Sequence, residues 1–259
     1  SGRYTLMQVT PNTIGAGPVI NQLNPAAQPV RIPEASEFTV ASFNMERFFD
    51  TTNGWVGGDK VTAITANGGS SWPRIDFPSG TRNRLFPVNT TTAFGVGERS
   101  GGGFHANTTI LLALGFGQET PALTTLNNLR DVYFPNADNG WSVGDKGQIF
   151  RLTKGGNFFD EQTGATTQNL NGIFALDLWT AWAVGDGGVI LKTVNGGATW
   201  LIQPSSVTTA LRDIHFINAD RGWAVGDAGV ILVTWDGGNT WTPEPSGTTA
   251  DLRSIHANS

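Results

Sequence analysis

A guanidinium at a fixed spacing is the first chemistry this chain offers. Arg130, Asn171, Arg212 and Arg253 follow one another at intervals of 41 residues, and Asn44 and Arg82 hold the same place in two earlier, less regular copies. Arginine binds a carboxylate through two parallel N–H···O bonds, so several on one face could capture acidic groups. Acids that could neutralise them are also present. Asp145 follows Arg130 by 15 residues, Asp227 follows Arg212 by 15, and Glu98 follows Arg82 by 16. Antiparallel pairing of the two segments would set each acid opposite its arginine. Two readings stay open: ion pairs internal to each copy, or a set Arg82, Arg130, Arg212 and Arg253 that binds carboxylates of a partner. Arg253 stands in a copy that lacks such an acid, so it should be the freest of the four.

The other reactive residue types assemble nothing comparable. His105, His215 and His256 do not have metal-ligand spacing, and His215 and His256 share one repeat position with Tyr133, as strand residues would. No metal or cofactor is expected. Thr65-x-Asn67-x-Gly69-x-x-Trp72, Thr193-x-Asn195-x-Gly197-x-x-Trp200 and Thr234-x-Asp236-x-Gly238-x-x-Trp241 fit the Asp-box pattern of sialidase-like propellers. There the Asn or Asp bonds its own turn, the glycine accepts a positive φ, and the indole is buried between sheets.

What must position these residues is a repeat. Leu129, Leu170 and Leu211 open three copies, and each reaches a tryptophan twelve residues on: Trp141, Trp182 and Trp223, in the phrase Trp-x-Val-Gly-Asp. An aromatic closes each copy at Phe159, Trp200 and Trp241. A period this long marks one supersecondary unit used repeatedly. Every copy divides into four short strands, which predicts an all-β fold, a β-propeller of about six four-stranded blades. Copies start near residues 43, 82, 129, 170, 211 and 252. The copy at 82 aligns Phe86-Pro87 with Phe134-Pro135. The last copy stops after eight residues. Residues 1–42 carry Pro11, Pro18, Pro25, Pro29 and Pro33 and read as an extended arm or linker, able to complete the last blade. Asn53-Gly54 and Asn139-Gly140 read as turns.

Composition agrees with this. The chain has 34 glycines and 14% charged residues, which suits many short strands joined by tight turns. A net charge of −5 and only Lys60, Lys146, Lys154 and Lys192 among the lysines argue against nucleic acid and anionic membranes. The longest apolar run, Ile110 to Phe116, is too short to span a bilayer. The absence of cysteine excludes disulfides and thiolate metal sites.

The phrase Gly-Trp-Ala-Val-Gly-Asp with Asp-Gly-Gly-x-Thr-Trp resembles the propeller repeats of the photosystem II assembly and stability factor family, and of secreted bacterial proteins with BNR-like repeats. That resemblance implies a non-catalytic, exported propeller that binds a protein partner, with Arg82, Arg130, Arg212 and Arg253 at positions that could match the arginine patch of the photosynthetic members. A smaller resemblance, Glu37 to Asp50, is to the opening strand of endonuclease/exonuclease/phosphatase enzymes, whose active-site Asn would be Asn44 and whose metal-binding Glu would be Glu119. The later motifs of those enzymes are absent, and one strand cannot assemble a metal-assisted hydrolase. The alternatives are a lectin, with glycan stacked on exposed indoles, and a sialidase-like glycoside hydrolase. The hydrolase needs a tyrosine nucleophile, and only Tyr4 and Tyr133 exist. Assays on sialosides, nucleic acids and phosphomonoesters should therefore give no turnover; turnover lost on replacing Asn44 or Glu119 would revive the nuclease reading.

Overall fold

The computed structural model describes residues 43–48, 52–87, 93–98, 127–155 and 158–257. The side chains of 43–48, 55–62, 74–83 and 98 are outside the description. The chain divides at Phe43, and the unit Asn44–Ser259 holds nearly all that is described. The arm expected over residues 1–42 lies outside the described residues.

Four four-stranded antiparallel sheets follow one another in chain order. The first contains β1 (Phe43–Phe48), β2 (Gly54–Thr65), β3 (Arg74–Pro87) and β4 (Ala93–Glu98). The second contains β5 (Leu129–Asn136), β6 (Asn139–Gly144), β7 (Ile149–Thr153) and β8 (Phe158–Gln162). The third contains β9 (Leu170–Ala175), β10 (Ala181–Gly185), β11 (Ile190–Thr193) and β12 (Leu201–Gln203). The fourth contains β13 (Leu211–Phe216), β14 (Gly222–Gly226), β15 (Ile231–Thr234) and β16 (Thr242–Glu244).

Each turn has its own chemistry. Between the first two strands, Asn136, Asp177 and Asn218 accept the N–H groups two and three residues ahead, at 2.7–3.0 Å. These Asx turns, and not Asn139-Gly140, make the reversal. Asn139 and Gly140 already lie in β6, and Gly54 likewise begins β2. The second turn is one turn of 3-10 helix at Asp145–Gly147, Asp186–Gly188 and Asp227–Gly229. Its last residue must be glycine. A Cβ on Gly147 at φ +73° would sit 2.0 Å from the Thr166 carbonyl oxygen, and Gly188 and Gly229 repeat the clash. In the third turn, Thr193 Oγ1 accepts the Gly197 N–H at 3.0 Å and Asn195 Oδ1 accepts the Thr199 N–H at 3.0 Å. Thr234 with Asp236 does the same in the fourth sheet, and Thr65 with Asn67 builds the same turn between β2 and β3 of the first.

The core lies between sheets. Phe86, Phe94 and Val96 of the first sheet meet Leu129, Val132 and Phe150 of the second. Trp141, Val143 and Ile149 meet Ile173, Ala183, Leu191 and Trp200. Trp182, Val184 and Ile190 meet Ile214, Ala224, Leu232 and Trp241. Trp141, Trp182, Trp200 and Trp241 are buried as expected. Trp223 is only half-buried. Trp141 and Trp182 are each roofed by the sheet that follows, whereas only the segment 251–257 follows the fourth sheet among the described residues.

The first sheet differs most from the sequence reading. The copies starting at 43 and 82 share one sheet, because β3 runs unbroken from Arg74 into Phe86-Pro87. Its ladder sets Phe86 opposite Phe94, as Tyr133 stands opposite Trp141 and His215 opposite Trp223. Phe86 is thus the counterpart of Tyr133, one residue away from the Phe134 expected. A one-residue slip reverses every side chain. It moves the place of Arg130 from Arg82 to Asn83, and the place of Asp131 to Arg84.

Rings at that common position run from sheet to sheet: Phe86 to Tyr133 at 5.0 Å, Tyr133 to Phe174 at 4.8 Å, Phe174 to His215 at 5.0 Å and His215 to His256 at 4.6 Å between centroids. His215 and His256 are strand-position residues in this row. Beside it, buried carboxylates stitch the first strands together. Asp131 accepts the N–H of Val132 at 2.8 Å and of Ile173, in the next sheet, at 2.7 Å, and pairs with Arg84 of the preceding sheet at 3.0 Å. Asp213 likewise accepts from Ile214, Ser254 Oγ and Ile255.

Burial raises the Asp131 carboxyl to about 6, with Arg84 pulling it down and Asp213 pushing it further up. A folded-state value above the unfolded one means that the native chain binds this proton more tightly. The contribution is fully present below about pH 4 and is lost as pH rises through 6. In Asp131→Asn that loss disappears, so the variant's stability relative to wild type should improve by a few kcal/mol between pH 4 and pH 7.5 in urea unfolding. A pH-independent difference would refute this.

Candidate partner-binding rim

The repeated arginines stand at one end of the sheets because of a β-bulge. Leu129 pairs with Gly144 and Asp131 with Val143, so Arg130 is the extra residue between them. Asn171 and Arg212 occupy the same bulge in the third and fourth sheets. A bulge frees a residue from the ladder and re-aims its side chain. Here it aims at the aspartate that opens the 3-10 turn after the second strand. That aspartate is fixed in turn, since the N–H groups of Asp145, Asp186 and Asp227 donate to the carbonyls of Asn128, Asn169 and Ala210 at 2.9 Å.

Arg130 Nε donates to Asp145 Oδ1 at 2.5 Å, and Arg212 Nε donates to Asp227 Oδ1 at 2.7 Å with Nη2 on Oδ2. The hydrogen bond to Asp227 holds the Arg212 guanidinium above its ordinary range and the Asp227 carboxyl below its own. The in-repeat ion pairs inferred from the 15-residue spacing are therefore present.

The pairs are also linked to one another. Arg130 Nη1 donates to Asn171 Oδ1 at 3.1 Å, and Asn171 Nδ2 donates to Asp186 Oδ1 and to the Leu211 carbonyl, both at 2.9 Å. Asn169 Nδ2 bonds the other Asp186 oxygen at 2.9 Å, and Arg212 Nη1 lies 3.9 Å from Asp186. Asp145, Arg130, Asn171, Asp186, Arg212 and Asp227 thus form one belt across three sheets. Sequence reasoning missed the part played by Asn171 and Asp186. The signal was available, since Asn171 precedes Asp186 by the same 15 residues that separate Arg130 from Asp145.

Arg253 behaves differently. It is 76% exposed, and its contact is with Asp251, itself half in solvent, at 3.3 Å. It is the outlying cation at the end of the belt. The backbone sets Arg82 opposite Gly97, and the side chains of Arg82 and Glu98 lie outside the described residues. Among the described residues no group of three or more histidines and carboxylates could hold a metal ion.

A family model described as photosynthesis system II assembly factor YCF48 matches residues 118–206. The chain resembles the YCF48 family. The solved structure of YCF48 bound to D1 peptide superposes with a TM-score of 0.56 at 18% identity, covering 74% of this chain and 64% of that one. YCF48 from Cyanidioschyzon merolae gives 0.58 at 17%, covering 76% and 68%. The GH74 enzyme of Niastella koreensis gives 0.53 at 19%, covering 75% of this chain but 36% of the enzyme. At these identities the likeness is one of fold, a β-propeller built from four-stranded sheets. The chain spans about two thirds of the YCF48 chains and about a third of the GH74 one. Among curated proteins none matches.

The belt predicts unequal costs along it. Arg130 is a third exposed, so Arg130→Ala should lower stability by at most about 1 kcal/mol. Asn171→Ala removes two donors and one acceptor from partly buried partners and should cost about 1–2 kcal/mol. Urea unfolding of the two variants checks the order, and a costlier Arg130→Ala would contradict the linkage through Asn171.

Proposed function

We propose that this chain is a non-catalytic β-propeller of about six blades that binds a protein partner and helps assemble or stabilise a larger complex, in an exported compartment. The resemblance to the YCF48 family supports the class of function, and the arginine rim supports the place. The single observation that carries the reading is the contrast along the rim. Arg130 and Arg212 are engaged by acids of their own sheets, while Arg253 is 76% exposed, pairs with the exposed Asp251 and lies near enough to Asp227 to lower its carboxyl. Arg130 and Arg212 then shape the surface, and Arg253 engages a partner carboxylate. The turns at Thr65, Thr193 and Thr234 are read as Asp-box turns with a structural role. The described residues contain no helix long and apolar enough to cross a membrane.

Affinity capture from the native source tests this, with each retained protein identified and its recovery quantified. Arg253→Ala should reduce recovery of the partner about tenfold while leaving the urea midpoint unchanged, because no buried pair is lost. Equal recovery with Arg253→Ala defeats the rim as the site. A second reading, a carbohydrate-binding propeller, draws on the exposed indoles of Trp179 and Trp235. Retention on a glycan array without hydrolysis, unaffected by rim variants, would favour it.

A further inference from the structure

The fourth sheet departs from the repeat at three positions that meet in space. Where the second and third sheets have Asn139 and Thr180, the fourth has Arg221; where they have Thr153 and Val194, it has Trp235. Where Arg151 lies over the Trp141 ring and Lys192 over the Trp182 ring, the fourth sheet has Val233. Its cation comes instead from the turn. The Arg221 guanidinium carbon lies 4.2 Å from the Trp235 ring centroid and 4.8 Å from that of Trp223. Trp235 is 61% exposed, and Arg221 and Trp223 are half-buried.

This guanidinium differs from every other one whose side chain is described. Arg84, Arg130, Arg212 and Arg253 each have a carboxylate, and Arg151 donates to the Gly196 carbonyl at 2.8 Å. Arg221 has no carboxylate within ion-pair distance and no side-chain hydrogen bond among the described residues; its buried Nε has no hydrogen-bond partner, as is also true of the Arg151 Nε. The nearby acids do not pair with it. Asp236 accepts from Thr240 N–H, Thr240 Oγ1 and Thr234 Oγ1, and Asp220, the neighbour of Arg221 in the chain, lies beyond ion-pair distance of it. Two indoles flank the Arg221 guanidinium in advance, so less rotamer freedom is left to lose when an acceptor arrives.

We propose that Arg221, Trp223 and Trp235 form a second docking site, one that takes an acidic side chain of a partner protein flanked by an aromatic or aliphatic residue. The carboxylate meets the Nη groups of Arg221, and the flanking residue lies on the open face of Trp235. The site stands apart from the rim: β14 runs between Arg221 and Asp227, roughly 17 Å at the rise of a strand. Its success or failure is independent of Arg253.

The probes are acetyl-Glu-Phe-Glu amide, its Gln-Phe-Gln counterpart and galacturonate, titrated into the full chain. Binding is followed on the Trp235 indole N–H resonance, identified by its loss in Trp235→Val. The Glu peptide should bind at least about tenfold tighter than the Gln peptide, as charge-assisted bonds predict. Arg221→Gln should abolish that preference, and Arg221→Lys should keep only part of it, because an ammonium cannot hold the stacked plane. If Arg221→Gln does not fold, Arg221→Lys decides by the same criterion. Equal binding of the two peptides, a preference that survives in the Arg221 variants, galacturonate binding as tight as the Glu peptide, or a Trp235 ring shielded from acrylamide in the free chain would each overturn the proposal.

Discussion

A four-stranded sheet of this chain cannot bury its large side chains alone. The rest of the structure depends on each sheet lying against the next. The third and fourth sheets show how one indole is sealed. Trp182 is fully buried, with Lys192 over one face, and its Nε1 donates to the Gly237 carbonyl of the following sheet at 3.0 Å. The turn that offers that carbonyl is built by Thr234 and Asp236, and Gly238 leaves just enough room for the ring: a Cβ there would stand 3.0 Å from Trp182 Nε1. The Thr-x-Asn/Asp-x-Gly motif is therefore legible as an intersheet device as well as a turn. In this pair of sheets it joins a glycine of one copy to the Trp 55 residues earlier; in the preceding pair the corresponding Gly196 carbonyl accepts from Arg151 instead.

Apolar burial sets the distance between sheets but is indifferent to register. Register comes from directional bonds among the first strands. Asp131 and Asp213 each reach a backbone N–H one repeat ahead, so sliding one sheet against its neighbour would strand a buried carboxylate. Asn171 does similar work at the edge by reaching the Leu211 carbonyl. Gly172, the counterpart of Asp131 in the third sheet, has no space for a side chain: a Cβ would lie 3.0 Å from the Arg212 carbonyl oxygen. Stitches therefore alternate with close backbone approach, and the half-buried Tyr133 ring packs against all three intersheet clusters.

How much of this was legible follows from what repetition encodes. The strands of the three regular copies and the Arg130–Asp145 and Arg212–Asp227 pairs could be read because period and alternation are properties of the sequence itself. The worn copy could not be aligned to the residue, since Phe86 and the following proline mimic Phe134-Pro135 and only the ladder places Phe86 with Tyr133. Asn139-Gly140 misled for a different reason. Asn136 supplies a side-chain oxygen to two turn N–H groups and closes the hairpin three residues earlier. The half-burial of Trp223 depends on what lies beyond its sheet, which no local pattern records. Asn171 was read as a gap in a series of arginines, when its amide serves as donor and acceptor at once.

A repeat also changes what counts as functional information. Residues common to the copies are explained by packing: the indoles, the glycines of the turns and the aspartates after the second strand. Even the arginines of the rim are largely consumed by the scaffold, since Asp145, Asp186 and Asp227 offset Arg130 and Arg212 within the belt. A surface so compensated has little field left with which to attract a partner. Recognition must then come from residues the scaffold leaves uncompensated. Arg221, between Trp223 and Trp235, is one, and Arg253, paired with the exposed Asp251, is the least enclosed of the rim arginines. Arg221 and Trp235 depart from the pattern set by the second and third sheets, and that departure is what separates them from their structural counterparts.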